Sequence, residues 1–100
     1  MAKGYWIARV DVLNEDAYKI YAVNNPAIFR EFGGRFLVRT GKFECPEGTS
    51  RTRNVVIEFP DYAAARACYE SPEYRDNMKN RLGASEIDII IVEGYDGPQP

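Results

Sequence analysis

Histidine is absent from the 100-residue chain. Imidazole is the commonest general base and metal ligand in proteins. Its absence excludes Ser-His and Cys-His nucleophiles, histidine-ligated haem and zinc sites of the hydrolase type. Cysteine is scarce as well, because Cys45 and Cys68 lie far apart and no Cys-X-X-Cys spacing occurs. We therefore expect two free thiols, no metal and no bound cofactor.

Long apolar runs are also missing. No stretch approaches the roughly 18 apolar residues that would span a bilayer, and the start "MAKGYWIARV" lacks the apolar core and cleavage site of a signal peptide. A cytoplasmic protein is expected. The net charge of -2 and the pI near 5.1 disfavour nucleic acid as a partner, since binding a phosphate backbone needs a surplus of Lys and Arg on one face.

The composition that remains is that of an ordinary globular domain, with 45% hydrophobic and 28% charged residues. The length suffices for one such domain and not for two. We expect residues 1–94 to form it and residues 95–100, "YDGPQP", to be a flexible Gly/Pro tail.

Alternating patterns predict strands at Tyr5–Val12, Arg35–Thr40, Asn54–Phe59 and Ile87–Val92. Two helical stretches separate them in the order β-α-β-β-α-β. The first begins with Asn14 as cap and is expected to break at Asn25 and Pro26, because proline lacks the N–H that an unbroken helix uses.

The second helical stretch repeats this plan. Asp61 is its predicted cap, and Ser71 with Pro72 predicts a restart whose apolar line is Tyr74, Met78 and Leu82. One β-α-β unit used twice favours an α+β, ferredoxin-like sandwich. Its four-stranded antiparallel sheet would have the order 4-1-3-2, with two broken helices on one face.

Side chains alternate between the two faces of a strand, so each predicted strand divides by parity. One set is wholly apolar and is expected to face the helices: Trp6, Ala8, Val10, Val12, Phe36, Val38, Val55, Ile57, Phe59, Ile87, Ile89 and Ile91. The second set mixes aliphatic with charged residues: Tyr5, Ile7, Arg9, Asp11, Arg35, Leu37, Arg39, Asn54, Val56, Glu58, Asp88, Ile90 and Val92.

Burying the aliphatics of the second set would contribute on the order of 10 kcal/mol, yet an unpaired buried charge costs several kcal/mol. Ion pairs between Glu58 and the arginines Arg9 and Arg39 on neighbouring strands would satisfy both demands. The helices are committed to the other face, so the expected cover is a second copy, giving a two-fold symmetric α/β barrel. The alternative is a half-exposed sheet with scattered surface charge.

The stretches "GGRFLVR", "RNVVIEFPDY", "CYESPEYR" and "DIIIVEGYDG" resemble the bacterial family known as domain of unknown function 1330. The resemblance extends over nearly the whole chain. It implies the dimeric α+β barrel group, which includes small cofactor-free monooxygenases of aromatic polyketides, muconolactone isomerases and haem-handling relatives. It implies no particular reaction.

Arg39 and Glu58 are the first candidate site residues. Arg39 could hold a carboxylate, phenolate or enolate oxygen through its planar guanidinium while Glu58 moves a proton. A purely structural ion pair explains them as well, and Arg9 shares that ambiguity. Tyr21 and Tyr74 could wall a cavity and offer hydroxyl groups, although apolar packing also accounts for them.

Two classes of function remain open. The first is a cofactor-independent enzyme of monooxygenase or isomerase type, acting on a small anionic or enolic/aromatic molecule in a cleft between sheet and helices. The second is a non-catalytic dimeric small-molecule-binding or stress-related protein whose ion pairs are structural. An RNA-recognition module shares the strand order but lacks the stacking aromatics on its third strand, "RNVVIEFP".

Overall fold

The computed structural model describes residues 2–100. Seven elements follow along the chain: β1 (Gly4–Val12), α1 (Glu15–Glu31), β2 (Arg35–Arg39), β3 (Arg53–Phe59), α2 (Tyr62–Glu70), α3 (Pro72–Met78) and β4 (Ser85–Glu93). The strands form one antiparallel sheet in the order β2-β3-β1-β4. The predicted ferredoxin-like α+β fold and strand order are confirmed.

All three helices cover the same face of the sheet. The core between them contains Trp6, Ile57 and Phe59, each at most 2% exposed. The indole N–H of Trp6 donates to the Ala65 carbonyl of α2 at 2.8 Å, so the largest core side chain has its one polar group paired. The apolar parity set therefore faces the helices as expected, apart from Val38.

The caps of the second helical stretch are confirmed. The carboxylate of Asp61 accepts from the Ala64 N–H at 2.8 Å, and the Ser71 hydroxyl accepts from the Tyr74 N–H at 3.2 Å. Pro72 is the first residue of α3, where its missing N–H removes no helical hydrogen bond. Each cap therefore provides an acceptor for a backbone N–H in the first turn of the helix that follows it.

The expected break in α1 is wrong. This helix runs unbroken from Glu15 to Glu31 with Pro26 inside it. Proline leaves the carbonyl four residues earlier, that of Ala22, without its backbone donor. The Arg39 guanidinium donates to the Ala22 oxygen at 3.4 Å, and Asn77 of α3 donates to the preceding carbonyl, that of Tyr21, at 3.1 Å. Donors from outside the helix thus stabilise it across the proline.

The apolar line expected for α3 is partly wrong. The helix ends at Met78, and a turn that passes through Gly83 at φ +78° leads into β4. Leu82 consequently lies outside the helix and is 63% exposed, whereas Arg81 is 7% exposed. A positive φ suits glycine, so Gly83 permits the turn that leads into β4.

An extra residue in β2 changes which face its last residues reach. Phe36 pairs with Ile57, but Val38 pairs with the adjacent Val56, so Leu37 has no partner of its own and forms a β-bulge. Beyond the bulge the parity is reversed. Val38 joins the face away from the helices, 41% exposed, and Arg39, opposite Val55, turns toward them. The expected placement of both residues was wrong.

Within residues 2–100, no helix is long and apolar enough to cross a membrane. Residues 94–100 form no helix or strand. The Tyr95 side chain there is 71% exposed. A domain boundary at residue 94 stays a prediction.

The Asn77→Ala variant should be less stable by about 2–4 kcal/mol. Asn77 is 4% exposed and donates to the Tyr21 carbonyl and to Asn25 Oδ1 at 2.9 Å. Its loss would leave the buried Asn25 Oδ1 without this donor, at about 1–3 kcal/mol, and would remove the side-chain hydrogen bond at the Tyr21 carbonyl, at about 0.5–1.5 kcal/mol. Urea denaturation measures the difference. Asn80→Ala is the control, since Asn80 donates only toward Asn77, and equal losses in the two variants would contradict this account.

Candidate functional site

A partly open cavity of about 100 Å³ lies between α1 and the covered face of the sheet. Its roof is the buried stripe of α1, and its floor comes from all four strands. The stripe arises because buried residues recur at helical spacing along α1. The lining residues are Trp6, Ala8, Val10, Tyr18, Tyr21, Ala22, Asn25, Phe29, Phe36, Arg39, Thr40, Arg53, Val55, Ile57, Ile87 and Ile89.

Two arginines supply the charge of this cavity. The guanidinium of the exposed Arg39 lies 4.4 Å from the centre of the Phe36 ring. That of Arg53 lies 5.4 Å from the Tyr18 ring and pairs with Glu15 of α1 at 3.3 Å. Among the described residues, none that lines the cavity is acidic. An apolar chamber with cations at its open side suits a small ring that carries a negative charge.

The pKa of one tyrosine of α1, Tyr18, is altered by this environment. Burial raises the pKa of the Tyr18 hydroxyl, while the nearby Arg53, Arg81 and Arg39 charges act in the opposite direction. The neutral phenol therefore persists at physiological pH as a hydrogen-bond donor.

A polar cluster links the cavity to α3. The hydroxyl oxygens of Tyr21 and Tyr74 are 2.7 Å apart, and Arg81 donates to the Tyr74 hydroxyl at 3.3 Å. Tyr74 and Tyr21 were sequence candidates, and the structure brings them together, although only Tyr21 lines the cavity. Arg81 was missed. The spacing of Tyr74, Asn77 and Arg81 at i, i+3 and i+7 was the signal that could have placed them on one side.

Glu58 and Arg9 lie on the opposite face of the sheet from the cavity. Arg35, not Arg39, donates to Glu58 Oε1 at 3.0 Å, and the Tyr5 hydroxyl donates to Glu58 Oε2 at 3.0 Å. The expected Arg39–Glu58 pair is therefore wrong, because the bulge at Leu37 turns Arg39 away. The hydrogen bond from Arg35, assisted by Tyr5, lowers the pKa of Glu58.

On that face Asp11, Glu86 and Asp88 pair with Arg51, whereas Arg9 binds a backbone carbonyl. Arg51, from the loop between β2 and β3, contacts Asp88 at 2.8 Å, Asp11 at 2.9 Å and Glu86 at 3.4 Å. Arg9 donates to the Thr49 carbonyl of the same loop at 3.0 Å. Within residues 2–100, no three Cys, Asp or Glu side chains are grouped so that they could hold a metal ion.

Glu58 should titrate below the ordinary glutamate pKa. A lowered folded-state pKa means that the contact stabilises the protein above the unfolded-state pKa, and that this contribution is lost as the pH falls through the folded-state value. Carboxyl NMR titration measures the midpoint directly. Arg35→Gln and, to a lesser extent, Tyr5→Phe should move the midpoint upward. A midpoint above the ordinary range in the wild type would contradict the assigned pairing.

The fold resembles solved structures of low sequence identity. A protein of unknown function from Rhodopseudomonas palustris aligns with a TM-score of 0.76 and 20% identity, over 96% of this chain and 85% of that one. SnoaB, a cofactor-independent oxygenase from Streptomyces nogalater, aligns with a TM-score of 0.63 and 16% identity, over 100% and 97%. HapK from Hahella chejuensis gives 0.61 and 16%, over 97% of each chain. These similarities establish the fold alone.

No curated protein matches the chain in sequence. The family model described as Domain of unknown function (DUF1330) matches residues 3–95. This range includes all four strands, all three helices and the residues of the cavity and the tyrosine cluster. The chain belongs to the DUF1330 family.

Proposed function

We propose that the protein takes a small anionic or enolic/aromatic molecule into the cavity under α1 and acts on it as a cofactor-independent enzyme of monooxygenase or isomerase type. The observation that carries this proposal is an apolar chamber with Arg39 at its open side and no acidic residue in the described lining. A benzene-sized engineered cavity in another protein measures about 150 Å³. The cavity here is smaller, about 100 Å³, and partly open, so it holds at most one ring, or the ring end of a molecule that extends through the open side.

The chemistry in this proposal is stabilisation of an anion. Arg39 would lower the free energy of an enolate or phenolate relative to its neutral form. Arg53 would contribute less, because it already pairs with Glu15. A ligand that binds already ionised needs no protein base, which agrees with the absence of histidine. The resemblance to SnoaB supports an oxygenase through fold analogy only.

The site residues of the proposal are Arg39 and Tyr21, with Tyr74 behind Tyr21. We assign Glu58 and Arg9 to the other face of the sheet, where they cannot reach a ligand under α1. Glu58, with its lowered pKa, holds a proton poorly near neutral pH, so a general-acid role does not suit it.

A binding protein without turnover is the second candidate. One observation favours it: among the described residues that line the cavity, none is a carboxylate, the remaining common general base once histidine is excluded. A single probe can distinguish a protein that only binds its ligand from one that also converts it.

Arg39→Met should weaken binding of 2,5-dihydroxybenzoate about 10- to 100-fold, which corresponds to one charged hydrogen bond of about 1.5–3 kcal/mol. Calorimetry measures the affinity, and the neutral 2,5-dihydroxybenzamide should be affected little. Arg35→Met is the matched control, since Arg35 lies on the same strand and faces away from the cavity.

An oxygen electrode separates the two candidates. Oxygen uptake that exceeds the protein-free rate and falls in Arg39→Met supports an oxygenase, whereas binding of this probe without uptake and with the probe recovered chemically unchanged supports the binding protein. Failure of the wild type to bind either compound contradicts the proposed site.

We further propose that a second copy of the chain covers the outer face of the sheet. Four large aliphatics there are 38–56% exposed: Leu37, Val38, Ile90 and Val92. The chain is only 16 Å thick in its thinnest direction, consistent with one layer of helices on one sheet. Most neighbouring charges are already paired within the chain, and Arg9 donates to the Thr49 carbonyl, so an identical surface could pack on this face and leave few unpaired ions.

Light scattering coupled to size exclusion tests the dimer. The wild type should have about twice the 11.4 kDa chain mass at micromolar concentration. Ile90→Glu should shift it to monomer, because each copy would bury a new unpaired carboxylate. Val23→Glu, at an exposed apolar position on α1 (66%, against 56% for Ile90), is the control. A monomeric wild type would contradict the proposal.

A further inference from the structure

Arg81 is a buried cation without an acidic partner. Only 7% of its surface is exposed, and within residues 2–100 it forms no ion pair with any carboxylate. Its Nε is a buried side-chain polar atom without a hydrogen-bond partner. A buried charge of this kind is costly unless something of opposite sign or strong dipole faces it.

The groups that face Arg81 are two phenols. Its Nη2 donates to Tyr74 at 3.3 Å, and its guanidinium carbon lies 5.4 Å from the centre of the Tyr21 ring. Burial, the largest cause, raises the pKa of the Tyr74 hydroxyl well above its usual range. The cluster contains no carboxylate, and Tyr74 stays a neutral phenol at neutral pH.

The direction of the hydrogen bonds follows from this arrangement. A guanidinium can only donate, so the Tyr74 oxygen accepts from Arg81. The hydrogen bond between the Tyr21 and Tyr74 hydroxyls, 2.7 Å long, can run in either direction. We assign Tyr74 as its donor, because Tyr74 is fully buried and does not line the cavity, so the Tyr21 oxygen is the acceptor within its reach. The hydroxyl hydrogen of Tyr21 is then left without a protein acceptor among the described residues, and Tyr21 lines the cavity.

We propose that Arg81 and Tyr74 make the Tyr21 end of the cavity selective for an ionised phenol or enol oxygen. Tyr21 donates to that oxygen, Tyr74 fixes the direction of the donation, and Arg81 supplies the positive potential. Arg81 is thus a positioning residue that acts through two hydroxyl groups. This inference rests on the proposed function and names the ligand class: single rings with an acidic phenol or enol.

4-Nitrophenol is a suitable probe, because its absorption distinguishes the phenolate from the phenol. Bound to the wild type, it should ionise at lower pH than in free solution, with the phenolate bound at least about tenfold more tightly than the phenol, or one pKa unit. Absorption spectra recorded across a pH series, with protein in excess, give the pKa of the bound probe.

Arg81→Met and Tyr21→Phe should each return the pKa of the bound probe toward its value in free solution. Arg75→Met should keep the wild-type shift, because Arg75 is an exposed residue of α3 whose guanidinium lies over Tyr69. A residue with a merely structural role would alter the affinity for nitrobenzene and 4-nitrophenolate equally, so nitrobenzene binding is measured alongside.

The wild-type titration alone can overturn the inference. If the pKa of the bound probe equals or exceeds that of the free probe, the inference is wrong, and no variant is needed to show it. If Arg81→Met does not fold, Tyr21→Phe, which removes one oxygen atom, decides in its place. A shift that depends on Arg39 but survives both Arg81→Met and Tyr21→Phe defeats this inference and leaves the proposed function standing. No binding of 4-nitrophenol or 2,5-dihydroxybenzoate defeats both.

Discussion

Leu37, the single extra residue in β2, decides where the positive charge of this protein lies. Side chains in a strand alternate strictly between faces, so one inserted residue exchanges the faces of everything that follows it. Arg39 thereby leaves the ionic outer face and lies across Phe36 at the open side of the cavity. Val38 moves to the outer face in exchange. A regular strand would have left the cavity with one arginine fewer.

The proline in α1 and the arginine in β2 form one structural unit. Pro26 leaves the Ala22 carbonyl without a backbone donor, and Arg39 supplies one from the sheet. Asn77 of α3 adds a side-chain donor to the preceding carbonyl, that of Tyr21. The helix α1, which forms the roof of the cavity, is thus hydrogen-bonded to β2 through Arg39 and to α3 through Asn77.

Charge is distributed differently on the two faces of the sheet. On the outer face, Arg35 pairs with Glu58, and Arg51 pairs with three carboxylates. Under the helices, Arg39 and the buried Arg81 have no carboxylate partner among the described residues. Paired charges can be covered by another surface at modest cost, whereas unpaired cations around an apolar cavity favour an anion. The two faces therefore suit different partners.

Sequence alone determined the order of elements, the strand order, the caps at Asn14, Asp61 and Ser71, and the apolar face that carries the helices. These follow from local chemistry and from side-chain periodicity. The tertiary structure alone decided the bulge at Leu37, the unbroken α1 and the burial of Arg81. Each depends on a contact between residues far apart in the chain: the register of β2 against β3, the external donors to the carbonyls before Pro26, and the tyrosines that receive Arg81.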